Sequence, residues 1–337
     1  MKTRQRRRTA PLFTALLAGA GLAAAACGGG TAAAPVNAPP ASPHAAAERA
    51  ATLNWLAKTN QMWTRNDFAA LDQVTTGEMR KVYQAEEEQK TTSAGGRHPL
   101  QLTGLSITIP CQGSGSRVFI AYGDTNVVTL GQGMQPVAMV FEQVDSAWKL
   151  AAIVQRPSSS SRWPALCRQG APTTAHTVLP PGEYTTDLAR ALDHAATGTP
   201  ETAAAAVPFA ANSFFTGPDS FTAQSAMQIR QDRAGGVTIT ERFSPAGYPT
   251  LALALAGGRG FWLIGILTQT AAYSSAAGIR KDTLPDGASI AVPRPSVVHH
   301  ETDTYITTYT ALDPLRSAGG SVALDGFFGW PLTAAAS

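Results

Sequence analysis

The chain has 337 residues, 44 % of them hydrophobic and 15 % charged, with a formal net charge of +3. This length exceeds one ordinary hydrophobic core and suits two domains of about 100 to 150 residues each. The positive charge is concentrated at the start, where Lys2, Arg4, Arg6, Arg7 and Arg8 precede residue 27; without them 21 basic side chains face 23 acidic ones. A body with that balance and no Lys/Arg cluster excludes the electrostatic footprint of nucleic-acid binding, and no polybasic segment follows residue 27 to hold an anionic membrane surface.

The five basic residues are followed by an apolar run over 12–26, which is too short to span a bilayer core of about 30 Å. This order of basic, apolar and small residues is that of a secretory signal. It ends in Leu22-Ala23-Ala24-Ala25-Ala26-Cys27-Gly28, a stretch that resembles the lipobox of bacterial lipoproteins. The resemblance implies that Cys27 takes a diacylglycerol and becomes the N-terminus of the mature chain. The other reading is an ordinary signal peptide (1–26) cut after Ala-x-Ala, with Cys27 incidental. Arg7-Arg8 lacks the Phe-Leu that follows a twin-arginine pair, which favours the general secretory route. With two acyl chains at about 0.8 kcal/mol per buried methylene, the lipid would hold the protein stably on the membrane, at its extracytoplasmic face.

Residues 27–47 are Gly, Ala, Pro, Thr and Ser with almost no large apolar side chain, and read as a disordered tether. With Cys27 lipidated, Cys111 and Cys167 remain as a pair in a compartment that permits disulfides; two buried free thiols are the alternative. Closing that loop would stabilise by roughly 4 kcal/mol in the chain-entropy model. No histidine or acid stands at ligand spacing from either cysteine, so no metal site is expected there.

From 48 to about 90, apolar residues recur at helical spacing through Leu53, Leu56, Met62, Trp63, Phe68, Leu71 and Val74. After a break at Thr76-Gly77 they resume with Met79, Val82 and Tyr83. The pattern predicts a long helix, a turn and a shorter helix whose Glu86, Glu87 and Glu88 form a solvated face. The period then becomes that of strands, at 102–109, 118–122, 136–144 and 148–155, the last two joined by a tight turn at Asp145-Ser146. Residues 48–156 thus read as a first α+β domain, and 157–182, rich in Ser, Pro and Thr, as a linker.

The second domain, 183–331, repeats the plan. Helices are predicted over 184–194, 200–215 and 221–233, and strands over 237–243, 249–256 and 261–270; strands at 305–312 and 322–328 are then added that the first domain lacks. Two local matches suggest duplication. Phe68-Ala69-Ala70 runs to Thr76-Gly77 as Phe209-Ala210-Ala211 runs to Thr216-Gly217; and the hairpin leading to Trp148-Lys149-Leu150 matches the one leading through Gly257-Gly258 to Phe261-Trp262-Leu263.

A long helix followed by an antiparallel sheet, with the Asp145 to Leu150 hairpin of turn and Trp-Lys-aliphatic, resembles the nuclear-transport-factor-2-like (cystatin-like) cone fold. The layout of export signal, Ala/Pro tether and tandem helix-plus-sheet units also resembles a family of secreted actinobacterial lipoproteins with no assigned function. The expectation is therefore α+β, in two tandem cone-like domains. The resemblance supplies no catalytic residues.

The chemistry-bearing residues are few. Ser146-Ala147-Trp148-Lys149 matches Ser-x-x-Lys, but the nucleophile motif needs a helix start and this one falls on a hairpin. His299, Glu301 and Asp303 alternate along a strand and would share a face, whereas His300 points away; a plain surface strand is the other reading. His98 lies in a loop. Trp55, Leu56, Trp63, Phe68, Phe119, Val140 and Trp148 are expected to fill the first cone. In the second, small residues such as Ala252, Ala254, Ala256 and Gly265 leave either a closely packed helix or a pocket. No catalytic set, cofactor or metal site is assembled. The leading expectation is a non-enzymatic binding or scaffolding lipoprotein of the cell envelope, held to the membrane through Cys27 and partnered by an envelope protein. A solute-binding receptor for a transporter and an enzyme using a cone pocket are the alternatives; no small-molecule ligand is specified by the sequence.

Overall fold

The computed structural model describes residues 43–65, 67–89, 99–111, 117–126, 134–155, 163–167, 181–197, 214–215, 220–280, 297–314 and 322–336. The predicted signal peptide (1–26), Cys27, most of the predicted tether, His98 and nearly all of the helix predicted at 200–215 lie outside them, as does most of the Phe209 to Gly217 half of the first repeat match. Helices and antiparallel strands make up the body, which is α+β.

Helix α1 spans Pro43–Arg65, α2 Leu71–Val74 and α3 Gly77–Gln89. The tether was expected to run to residue 47, but the helix begins at Pro43. Proline suits the first helical turn, where its missing N–H would have no partner, and the alanines that follow are strong helix formers. The predicted long helix is also divided. Asp67 turns the chain, its Oδ1 accepting the Ala69 N–H at 3.0 Å, so that Leu71 and Val74 reach the core from a separate turn of helix.

Strands β1 (Leu102–Thr108), β2 (Val118–Thr125), β3 (Gln135–Val144) and β4 (Ala147–Gln155) form a four-stranded antiparallel sheet in chain order. Asp145 and Ser146, at φ 50° and 65°, make the two-residue turn between β3 and β4. One face meets the first helices. Phe141 stacks on Phe119, Trp55 of α1 meets Phe141 edge-on, and Trp148 meets Phe119 edge-on. Of the residues expected to fill this half, Trp55, Phe68, Phe119 and Val140 are buried, while Leu56, Trp63 and Trp148 pack from its margin.

In the second half, α4 spans Pro181–Ala196 and α5 Phe221–Ala234, capped by the Ser220 hydroxyl. Strands β5 (Thr238–Pro245), β6 (Leu251–Ala254), β7 (Gly260–Arg280), β8 (Val297–Pro314) and β9 (Ala323–Ala336) form the second sheet. Its order is β5-β7-β8-β9, with β6 also on β7, so β5 and β6 lie end to end along one edge of β7. This is not the simple meander of the first sheet. Strands β7 and β8 run well past the ranges expected from the sequence, because their pairing continues from Gly260↔Pro314 to Arg280↔Val297.

The helix-facing side of the second sheet buries Leu263, Leu267 and Tyr309 against Tyr184, Leu188 and Leu192 of α4. Here Gly265 is a matter of space: a Cβ would collide with the Tyr309 ring, which lies across it from the paired strand. The other side of the sheet meets the first one. Trp262, Ile264, Ile266, Ile306 and Trp330 belong to the same core as Ile120, Val140 and Ala152, and Thr308 Oγ1 donates to the Ile153 carbonyl oxygen at 2.9 Å. A Cβ at Gly326 would stand 2.6 Å from Thr310 Oγ1 on the paired strand and 3.1 Å from the Gln155 carbonyl oxygen of the first sheet. The layers are therefore helices, sheet, sheet, helices.

Candidate functional site

The two halves are also joined at their rim by residues 163–167, part of the predicted linker. Cys167 is disulfide-bonded to Cys111, 56 residues away in sequence, with Cα atoms 5.4 Å apart. Backbone bonds hold the strap on both sides. Cys111 N–H donates to the Cys167 carbonyl (2.9 Å), Cys167 N–H to that of Ala254 (2.7 Å), and Ala256 N–H to that of Ala165 (2.8 Å). The strap thus extends the β6 edge of one sheet and meets the end of β1 in the other. Trp163 is inserted between Tyr122 of the first sheet and Trp262 of the second, with ring centroids 5.3 and 6.0 Å apart.

Beneath the strap lies a cleft of about 520 Å³, lined by Ser106, Thr108, Tyr122, Trp163, the rest of the strap, and the Ala256-Gly257 turn. The volume falls within the range of small-molecule sites. Register places Ser106 opposite Tyr122 and Thr108 opposite Ile120, so these three hydroxyl-bearing side chains project from the face of the sheet that elsewhere is apolar and covered. Burial raises the Tyr122 phenol well above its ordinary range, so the group is a neutral donor and acceptor at physiological pH. Among the described residues, those that line the cleft carry no charge.

A second polar cluster lies under the helix-facing side of β5, β7 and β8. Glu241 Oε1 accepts from Gln269 Nε2 (3.2 Å), Gln269 Oε1 accepts from Thr307 Oγ1 (3.2 Å), and Tyr305 donates to Asp303 Oδ2 (3.4 Å). Glu241 Oε2 is enclosed although part of the side chain reaches solvent, and burial pushes its carboxyl up to about 7 against the bond from Gln269. Burial, and then Asp303, Glu241 and Glu301, raise the Tyr305 phenol. The same acids, together with Tyr305, raise Tyr273, again after burial. The period-two spacing of Glu301, Asp303 and Tyr305 showed that they share a face; that Glu241 joins them required the β5–β7–β8 register.

The expected surface strand at 299–303 is therefore corrected: Glu301 and Asp303 are buried. His299 does not join them. A register irregularity between Ser274 and Ile279 turns Val298 into the cluster with Tyr273 and Tyr305, and leaves His299 exposed, with Nδ1 3.0 Å from the Ser275 carbonyl oxygen. Among the described residues no group of three or more His, Cys, Asp or Glu side chains is suited to hold a metal ion. Ser146 sits in the β3–β4 turn and Lys149 on β4 opposite Glu142, which is hairpin geometry and not a helix start. No helix among the described residues is long and apolar enough to cross a membrane.

Comparison with protein-family models, with curated proteins and with solved structures finds no match to this chain.

Proposed function

We propose that this chain is an extracytoplasmic lipoprotein, anchored through lipid on Cys27, that serves the cell envelope as a non-enzymatic binding or scaffolding protein. The observation that carries the reading is the N-terminal order: five basic residues, a short apolar run, small residues ending on Cys27, then a Pro/Ala tether. A disulfide that ties the strap to the end of β1 fits a body that matures in an oxidising compartment. The two halves are read as tandem cone-like units similar to the nuclear-transport-factor-2-like fold, each a helix layer over an antiparallel sheet. Two pairs of features support that reading: the β3–β4 and β6–β7 hairpins, and the aromatic residue after each turn, Trp148 at the margin of the core and Trp262 within it. The likeness to secreted actinobacterial lipoproteins points the same way.

The anchor is tested by Cys27→Ser in the native host. The mature chain should lose its acyl mass and either remain uncut or leave the membrane fraction. An unchanged mass with unchanged membrane partition would refute the anchor, whatever the body binds.

A further inference from the structure

We propose that the exposed end of the second sheet is a docking face for an acidic polysaccharide. The inference deepens the binding-protein reading above and rests on it, but not on the lipid anchor. The side of the sheet that packs on the first one continues past it. Its buried part ends at Ile266, Ile306 and Trp330. Beyond them the register sets out two rows that cross β5, β7, β8 and β9 in turn: Arg242, Thr270, Thr304 and Thr333, then Thr240, Ala272, Thr302 and Ala335. Every side chain of these rows reaches solvent, and those on the edge strands β5 and β9 are exposed. A third row, of Thr238, Ser274 and His300, follows on β5, β7 and β8.

The chemistry of the rows indicates the ligand. Strands lie about 4.8 Å apart and alternate residues of one strand about 6.7 Å apart, so the threonines form a regular lattice of hydroxyls that each donate and accept. A polymer with hydroxyls at every repeat can meet such a lattice at several points at once. Charge then selects among such polymers. Arg242 stands exposed at the start of the first row and enters no ion pair among the described residues. Its planar guanidinium suits a carboxylate, which it can hold through two parallel hydrogen bonds. His300, exposed on β8, lies diagonally across the face, about 16 Å from Arg242 by strand spacing, and offers a ring N–H at the other end. Carboxylates along the polymer and hydroxyls between them answer both features.

The face is also formed before a ligand arrives. Behind it Ala271, Tyr273, Asp303 and Tyr305 are buried, which holds β7 and β8 from the other side, and the branched threonine side chains have little rotamer freedom to lose. Its size argues against a second copy of the chain. Four strands by four residue levels cover about 14 Å by about 20 Å, some 300 Å², whereas a stable protein interface takes about 800 Å² from each partner. A single polymer strand laid from Arg242 to His300 fits within that area.

The test is calorimetric titration of the full-length chain, with its Cys111–Cys167 bond formed, using oligogalacturonates and, as their uncharged counterparts, the methyl esters of the same oligomers. Saturable binding of the acids is expected, with the esters about tenfold weaker or more. Arg242→Gln should remove that preference. Thr270→Val/Thr304→Val, which keeps the branched shape that a strand favours, should weaken binding of the acids severalfold at an unchanged thermal midpoint. Should the double variant fail to fold, Thr302→Val, at an exposed position, should still weaken it. Absence of saturable binding up to about 10 mM overturns the proposal. So do equal binding of acids and esters, and binding that the threonine variants leave unchanged, which would reduce the effect to bare attraction by Arg242. A concentration-dependent dimer in sedimentation that Thr302→Arg dissolves would give the face to a second copy and overturn it as well. These results leave the Cys27→Ser outcome untouched, so the anchor and the docking face fail separately.

Discussion

Glu241 lies on the covered face of the edge strand β5, where its Oε2 is enclosed and its charge bears on Tyr273 and Tyr305. Desolvation raises its carboxyl from 4.5 to about 7, the bond from Gln269 opposing but not cancelling it. A carboxyl whose folded pKa lies above its unfolded value favours the fold while it is protonated. Its contribution is fully present below the unfolded value and is lost as pH rises from about 4.5 to about 7, at about 1.4 kcal/mol for each unit of displacement. Glu241→Gln, which stays neutral, should flatten that part of the stability profile. Urea unfolding of both proteins at a series of pH values between 4 and 8 checks this. Parallel profiles for parent and variant would mean that Glu241 ionises in the fold as it does outside it.

At the scale of elements, the strap shows how a segment with no regular structure becomes part of two sheets. Backbone bonds tie Ala165 and Cys167 to the β6 edge and Cys167 to the end of β1, and the disulfide holds the strap there. Because the crosslink closes 56 residues, replacing both cysteines by alanine should cost up to about 4 kcal/mol, most of it through the unfolded state. The backbone bonds and the Trp163 contacts remain, so the variant should still fold, with a lower midpoint in guanidinium. Adding a reductant to the parent should reproduce that shift. An unchanged midpoint would show that the strap's hydrogen bonds and ring packing alone carry the junction.

For the whole molecule, the decisive feature is that the largest core is shared between the sheets. Trp262, fully buried, belongs to the second half but packs with residues of the first, and truncating such a ring costs about 3–5 kcal/mol. Trp262→Ala should therefore lower stability as seen from both halves at once, and the full chain should unfold in a single calorimetric transition. The second half expressed alone would expose Trp262, Ile264, Ile266, Ile306 and Trp330, and should collect as aggregate or lack a cooperative transition. Two separate transitions in the full chain, or a second half that melts cooperatively by itself, would contradict the shared core.

The local elements were legible in the residue pattern alone. Period-two alternation and the Asp145-Ser146 turn located β1 to β4 within a few residues, helical spacing located α3, α4 and α5, and cysteine arithmetic paired Cys111 with Cys167. It also carried a signal about layering. Residues 137–141 of β3 are five apolar side chains in a row, a run that only a strand covered on both faces can bury. Periodicity states which residues share a face, however, and is silent on what that face meets. That the second sheet covers the first, that β5 skips β6 to pair with β7, that Glu241 joins Asp303, and that three hydroxyls gather beneath Trp163 were decided by the tertiary structure alone. Each depends on contacts between segments far apart in the chain, and those are fixed by register, bulges and the disulfide, not by the local pattern of side chains.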